Sequence, residues 1–276
     1  MAADILSKAT VGAVGLLCKT FLHIGYCSSV TVNGLDNLRT ALEDVGRNEG
    51  RGVITICNHI STLDDPLVWG VLPARFYLSS RMTRWTLGAS DIMFTNPIFS
   101  FFFRKGQVIE TFRGKGIFQP AIDDAVRKLN DSAWIHLFCE GKVNQPVLEP
   151  ARLLRFKWGV GRILMEADTP PTIIPMWLTG FDQLMPENRA TPWKFFPRPR
   201  VALSVTFGRP IDTNEVRESL ARAIRENKTP EVPANTVTEA KGAESVRSAV
   251  TALLQRKVEE LGREVTRRRM SGDVAR

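Results

Sequence analysis

Apolar residues in this chain fall into short runs punctuated by turn residues. Ile54 to Cys57 (ITIC), Trp134 to Cys139 (WIHLFC) and Thr172 to Leu178 (TIIPMWL) are rich in β-branched and aromatic residues. Their length and continuity predict strands buried on both faces. Val30 to Val32, Arg75 to Ser80 and Gly106 to Phe112 predict further strands, and Val201 to Phe207 alternates as a half-buried one. Helical spacing intervenes in a short helix within Asp36 to Gly52, in Phe118 to Leu129 and in Arg152 to Glu166. It returns in Asp212 to Asn227 and in Glu244 to Met270, where Val246, Val250, Leu253, Leu254, Val258 and Leu261 share a face. Strands alternating with helices predict an α/β fold, a central mixed and mostly parallel sheet flanked by helices. No internal repeat is present, and Lys228 to Gly242 has linker composition.

Three of these strands end in chemistry. After Ile54 to Cys57 come Asn58 and His59, then Ser61 and Asp64 in an S-x-x-D capping pattern that predicts a helix from near Thr62. On one continuous helix His59 and Asp64 would be offset by about 140°. With His59 in the turn before the helix, Asp64 can fold back onto Nδ1–H and leave Nε2 as a base. The same residues also fit a helix cap with carboxylates at the positive end of its dipole. Gly106 to Phe112 delivers Arg113, whose planar guanidinium suits a phosphate. Trp134 to Cys139 delivers Glu140, Gly141 and Lys142, with a glycine for close backbone approach. Ligands of open α/β sheets lie beyond the carboxyl ends of strands, so the three ends support one site.

Charge and composition narrow the partner. The formal charge of +8 calls for an anionic surface. The cations lie on no recognition helix and the aromatics cluster in runs, which argues against nucleic acid. Ile98, Phe99, Phe101, Phe102 and Phe103, closed by Arg104 and Lys105, and Trp193, Phe195 and Phe196 among Lys194, Arg198 and Arg200, fit lipid contact with basic ends at phosphates. A core helix is the alternative for the first group. Residues 5 to 27 are apolar, but the unbroken run Val11 to Cys18 is short of the ~20 residues of a spanning helix. An interfacial helix is expected, with a core helix as the alternative, and there is neither the basic start of a signal peptide nor the arginines of a transit peptide. The four cysteines, Cys18, Cys27, Cys57 and Cys139, make no metal or disulfide pattern and are expected as buried thiols.

NHISTLDD, the strand ending in Arg113, FCEGKVN from Phe138 to Asn144 and the Ile174-Pro175 strand together resemble the glycerolipid acyltransferase family with its H-x4-D motif. NHISTLDDPLVWG, MTRWTLGASDIMFT, EGKVN and LLRFKWGVGRIL resemble in particular its mitochondrial phospholipid–lysophospholipid transacylases, which remodel cardiolipin. The likeness covers roughly residues 25 to 212. Cys139 stands where the family has proline, and the interval from Gly106 to Arg113 is one residue longer than in the broad family. The resemblance implies an N-terminal membrane-associating segment (1–28), an acyltransferase domain (29–212) and C-terminal helices (213–276) with a linker at 228–242. It further implies His59 and Asp64 as catalytic residues, with Asn58, Arg113, Glu140, Gly141 and Lys142 at the substrate. Phospholipids and lysophospholipids, cardiolipin among them, would be the substrates, with no cofactor or metal. The protein would sit on mitochondrial membranes facing the intermembrane space, peripheral or monotopic, with a homo-oligomer possible. Acyl-CoA-dependent acylation and non-catalytic lipid binding are the other functions this pattern admits, and a covalent route through Cys57 or Cys139 is a further mechanism.

Overall fold

The computed structural model describes residues 2–145, 152–212, 215, 216, 218 and 236–271. Its centre is a seven-stranded sheet of β1 (Ser29–Asn33), β2 (Val53–Cys57), β3 (Arg84–Ala89), β4 (Val108–Thr111), β5 (Trp134–Phe138), β6 (Thr172–Thr179) and β7 (Ala202–Phe207). The order across the sheet is β1-β7-β6-β2-β5-β3-β4. Every neighbouring pair is parallel except β6 with β7. β2 is central, and the period of two along it assigns its side chains to two cores. Val53 and Cys57 face one, Ile54 and Ile56 the other.

Helices cover both faces. On the first lie α1 (Ala2–His23), α2 (Leu35–Glu43) and α3 (Asp64–Val68), on the second α6 (Pro120–Asn130), α7 (Gly159–Met165) and α9 (Thr236–Met270). The short α4 (Ser90–Met93) and α5 (Pro97–Lys105) follow β3, and α8 (Phe181–Leu184) follows β6. α1 lies along the domain. Its Cys18 and Leu22 are buried, and Lys19 Nζ donates to the carbonyls of Leu72 (3.1 Å) and Gly70 (3.4 Å). A Cβ on Gly70 would stand 2.8 Å from the Cys18 and Lys19 backbone, so glycine there permits the approach. By length and composition Ile5–His23 suffices to cross a membrane. The run Val11 to Cys18 understates it, because the helix continues through Lys19.

Several elements differ from the sequence expectation, each for a local reason. Arg75 to Ser80 is not a strand but contains a 3-10 helix, Ala74–Leu78. Phe76 and Tyr77 are consecutive and both buried, and the Tyr77 hydroxyl donates to the Trp69 carbonyl at 2.7 Å. A strand would have sent the two to opposite faces. The strand of this region is β3, which begins at Arg84. The helix expected over Arg152 to Glu166 is confined to Gly159–Met165, because the N–H groups of Leu154, Phe156 and Lys157 go to Glu140, Gln255 and the Cys139 carbonyl. Pro120 delays the start of α6, expected at Phe118, by taking its first position. The helix expected over 212–227 lies almost entirely outside the described residues, as does 228–235 of the expected linker. The remainder of that linker, 236–242, is already helical within α9.

Candidate active site

The site is built where β2 ends. Asn58 clasps the neighbouring strand: its Nδ2 donates to the Leu178 carbonyl (3.0 Å) and its Oδ1 accepts the Leu178 N–H (2.8 Å). The chain then turns, and His59 projects with its side chain 20% exposed. Asp64, fully buried, lies at the start of α3. Its Oδ2 is 2.9 Å from His59 Nδ1 and accepts the N–H groups of Ile60 (2.7 Å) and Ser61 (2.8 Å). The bond to the Ser61 N–H is the reach-back of a capping box, although α3 begins at Asp64 and not near Thr62. A carboxylate oxygen can only accept, so His59 Nδ1 carries the proton and Nε2 presents its lone pair. Burial raises the Asp64 pKa against the hydrogen bond from His59 and the two backbone donors.

The turn after β5 braces this loop. Glu140 Oε1 accepts the His59 N–H at 3.0 Å, and Oε2 accepts Asn144 Nδ2 and the Leu154 N–H, both at 2.8 Å. Asn144 N–H donates to the His59 carbonyl at 2.6 Å, and Gln145 Nε2 to that of Ile60 at 2.8 Å. The sharp turn requires Gly141, at φ +75°. Burial raises the Glu140 pKa, opposed by its three N–H donors. Asn58 and Glu140 were expected at the substrate. Each is 1% exposed and bonded within the protein, and what they touch is the backbone that carries His59. Asn144 had no signal of its own in the sequence beyond its place in EGKVN.

Arg113 and Lys142 are exposed at the same edge of the sheet. β4 stands three strands from β2, so Arg113 is offset from His59 by roughly 14 Å across the sheet at the usual strand spacing. It forms an exposed ion pair with Asp91 at 3.3 Å. The loop that carries it is fixed by Gln119, which bonds the Phe112 N–H (2.9 Å) and the Gly116 carbonyl (2.6 Å). Cys57 and Cys139 are buried, and burial pushes both thiols well up, so neither presents a thiolate.

α5, packed on α1 and β4, has no buried residue: Ile98, Phe99, Phe101 and Phe102 face outward. Phe103 is partly buried in a ring cluster with Phe94, Phe99 and Phe102 because it lies one turn after Phe99 on the inner side. An open groove of about 770 Å³ runs along this helix between Phe94 and Lys105. α1 joins α5 near its start, where Ser7 Oγ donates to the Lys105 carbonyl at 2.8 Å. Near its end, Tyr26 bonds the Pro197 carbonyl at 2.6 Å, next to the exposed Trp193, Phe195 and Phe196.

A histidine oriented by a buried carboxylate, at the carboxyl end of a mostly parallel sheet, has the geometry to act as a general base toward a hydroxyl. Residues 29–179 match the family model described as Acyltransferase. The chain is similar to the tafazzin of Dictyostelium discoideum, 36% identical over 82% of this chain and 75% of that protein. It is likewise similar to the tafazzin of Saccharomyces cerevisiae (32%, covering 87% and 73%) and to an N-acylphosphatidylethanolamine synthase of Arabidopsis thaliana (37%, covering 74% and 70%). The fold is that of the 1-acyl-sn-glycerophosphate acyltransferase of Thermotoga maritima, with a TM-score of 0.52 at 19% identity over 92% of this chain and 79% of that one. The chain belongs to the acyltransferase family and is an acyltransferase enzyme. Among the relatives it resembles are tafazzins.

Proposed function

We propose that this enzyme is a phospholipid–lysophospholipid transacylase that exchanges acyl chains without CoA and remodels cardiolipin in mitochondrial membranes. The observation that carries the reading is the His59–Asp64 bond, which leaves Nε2 as a base at the sheet's carboxyl edge. The hydroxyl of a lysophospholipid gives its proton to Nε2 as its oxygen attacks an ester carbonyl of a donor phospholipid. The tetrahedral intermediate collapses, the donor C–O bond breaks, and His59 returns the proton to the leaving hydroxyl. One ester replaces another, so the exchange is nearly thermoneutral and calls for no activated acyl carrier. Asn58, Glu140, Gly141 and Asn144 hold the loop that aims His59, while Lys142 and Arg113, the latter in an exposed ion pair with Asp91, stand where phosphates would arrive. Positioning of this kind supplies much of an enzyme's rate.

The substrates reside in a bilayer, and the band formed by α5, α1 and Trp193 to Phe196 is the face offered to it. α1 lies against the domain, and Lys19 is committed to the carbonyls of Gly70 and Leu72. That supports an interfacial, monotopic attachment. The test is to incubate the protein in liposomes with a labelled phospholipid and a lysophospholipid, with and without acyl-CoA. Transfer without CoA, absent in His59→Ala, is expected; transfer only with the thioester would overturn the transacylase reading. The Arabidopsis relative favours a second reading, in which an amine of phosphatidylethanolamine is the acceptor. Mass spectrometry of the product separates an N-acyl from an O-acyl linkage.

A further inference from the structure

Trp134, His136 and Phe138 project from one face of β5, beneath the His59 turn. The Phe138 ring stacks on the His59 imidazole, with centroids 4.2 Å apart and planes inclined by 25°. His136 meets Phe138 edge to face at 4.5 Å and Trp69 at 4.8 Å. His136 is itself fixed from below. The Trp134 indole N–H donates to Thr55 Oγ1 at 2.9 Å, and Thr55 Oγ1 is hydrogen-bonded to His136 Nδ1 at 2.8 Å. Burial pushes the His136 pKa down to about 3, so the ring is neutral.

We propose that Phe138 is a positioning residue for the reaction, holding the plane of the His59 ring and stabilising the imidazolium formed when His59 takes the acceptor's proton. The inference rests on His59 being the base. The bond to Asp64 fixes one point of the imidazole and leaves the ring free to rotate about it; a ring stacked on its face removes that rotation. When the proton passes from the substrate hydroxyl to Nε2, the positive charge lies over an aromatic face, well within the ~6 Å reach of a cation–π interaction. The charge exists only after proton transfer has begun. The contact is therefore stronger in the transition state than before it and acts on kcat more than on KM. The titratable groups facing His59 are Asp64 from the start of α3, Glu140 from the turn after β5 and the neutral His136 of β5. Asp65 and Arg84, paired with each other, lie behind His136. All of these remain in Phe138 variants, so a change in His59 titration there belongs to Phe138.

The test compares Phe138→Leu, Phe138→Met, Phe138→Tyr and His59→Ala in the liposome transfer assay. It adds NMR titration of the histidine side chains, of which the chain has three. Leu and Met are expected to lower kcat about 2- to 30-fold with little change in KM. They are also expected to move the acid limb of the rate profile to lower pH, since less of the imidazolium's charge is stabilised. Tyr, which keeps the aromatic face, restores both. An inactive His59→Ala together with a folded Leu or Met variant of native kcat and native titration overturns the role of Phe138 alone. So does a Tyr variant as slow as Leu with an unmoved titration, since ring shape and not charge would then be at work. Activity in His59→Ala overturns the base on which the inference stands.

Discussion

Replacing His59 by Ala is expected to lower transfer by about 10²- to 10⁴-fold, the usual contribution of a general base. Asp64→Asn should cost a comparable factor, because an amide with its oxygen in place of Oδ2 carries no charge to stabilise the imidazolium formed on His59. Its Oδ can still accept from Ile60 and Ser61, so circular dichroism and the melting temperature should move little. A native rate in either variant would remove the pair from the mechanism. His136 makes a pH prediction. Its folded pKa of about 3 lies below the ordinary 6.5, so the unfolded chain binds a proton that the folded one refuses, and stability is lost as pH falls below about 6.5. Asp64 and Glu140 oppose this, since their raised values make the folded state the better proton acceptor. The melting temperature of the native protein should decline from pH 7 to 5, and in His136→Gln, whose amide oxygen can accept from Thr55, the decline should be shallower. Equal slopes would show that another group governs acid sensitivity. The spacing of His59 and Asp64 was legible in the sequence because two residues in one turn determine their own geometry. The partners of Asn58 and Glu140 lie 120 and 81 residues away along the chain, and no local pattern encodes such contacts.

Elements were legible where hydrophobic period and tertiary environment agreed. β2, β5 and β6 are apolar runs with both faces covered, and the sheet they form stands much as their composition requires. Arg75 to Ser80 misled because two adjacent aromatics can be buried by a helical turn as well as by a strand. The 152–157 segment misled because its N–H groups bond across the fold rather than along it. In α5 the composition left a core helix and a lipid-facing helix equally open, and exposure of Ile98, Phe99, Phe101 and Phe102 excludes the core helix. Changing Phe99 and Phe101 to Ser should therefore weaken liposome binding without lowering the melting temperature, as neither side chain contributes to the core. Each aromatic fully immersed in the bilayer contributes about 2 kcal/mol, so the pair should reduce the partition coefficient by two orders of magnitude or more. Sedimentation with liposomes measures it, and unchanged binding would place the membrane elsewhere.

At the scale of the whole molecule, the C-terminal helix is joined to the active site through the segment between them. α9 packs Val246, Val250, Leu253, Leu254 and Val258 against β6 and α7. From that face Gln255 Oε1 accepts the Phe156 N–H at 3.0 Å. Two residues earlier the Leu154 N–H donates to Glu140 Oε2, and Glu140 Oε1 in turn holds the His59 N–H. The spacing of apolar residues marked one face of α9 that could dock on the domain. It did not show where, since Gln255 is polar and ordinary in a helix. Gln255→Leu keeps the size of the side chain and removes the acceptor, leaving the N–H of the buried Phe156 unpaired at a cost of about 1–3 kcal/mol. The melting temperature should fall by a few degrees, about 2–4 °C for each kcal/mol in a chain of this size. If the 152–157 segment steadies Glu140, kcat should fall as well, while liposome binding through the proposed contact residues of α5 and 193–196 stays native. A lower melting temperature with native kcat would show that α9 covers the second core without reaching the His59 loop.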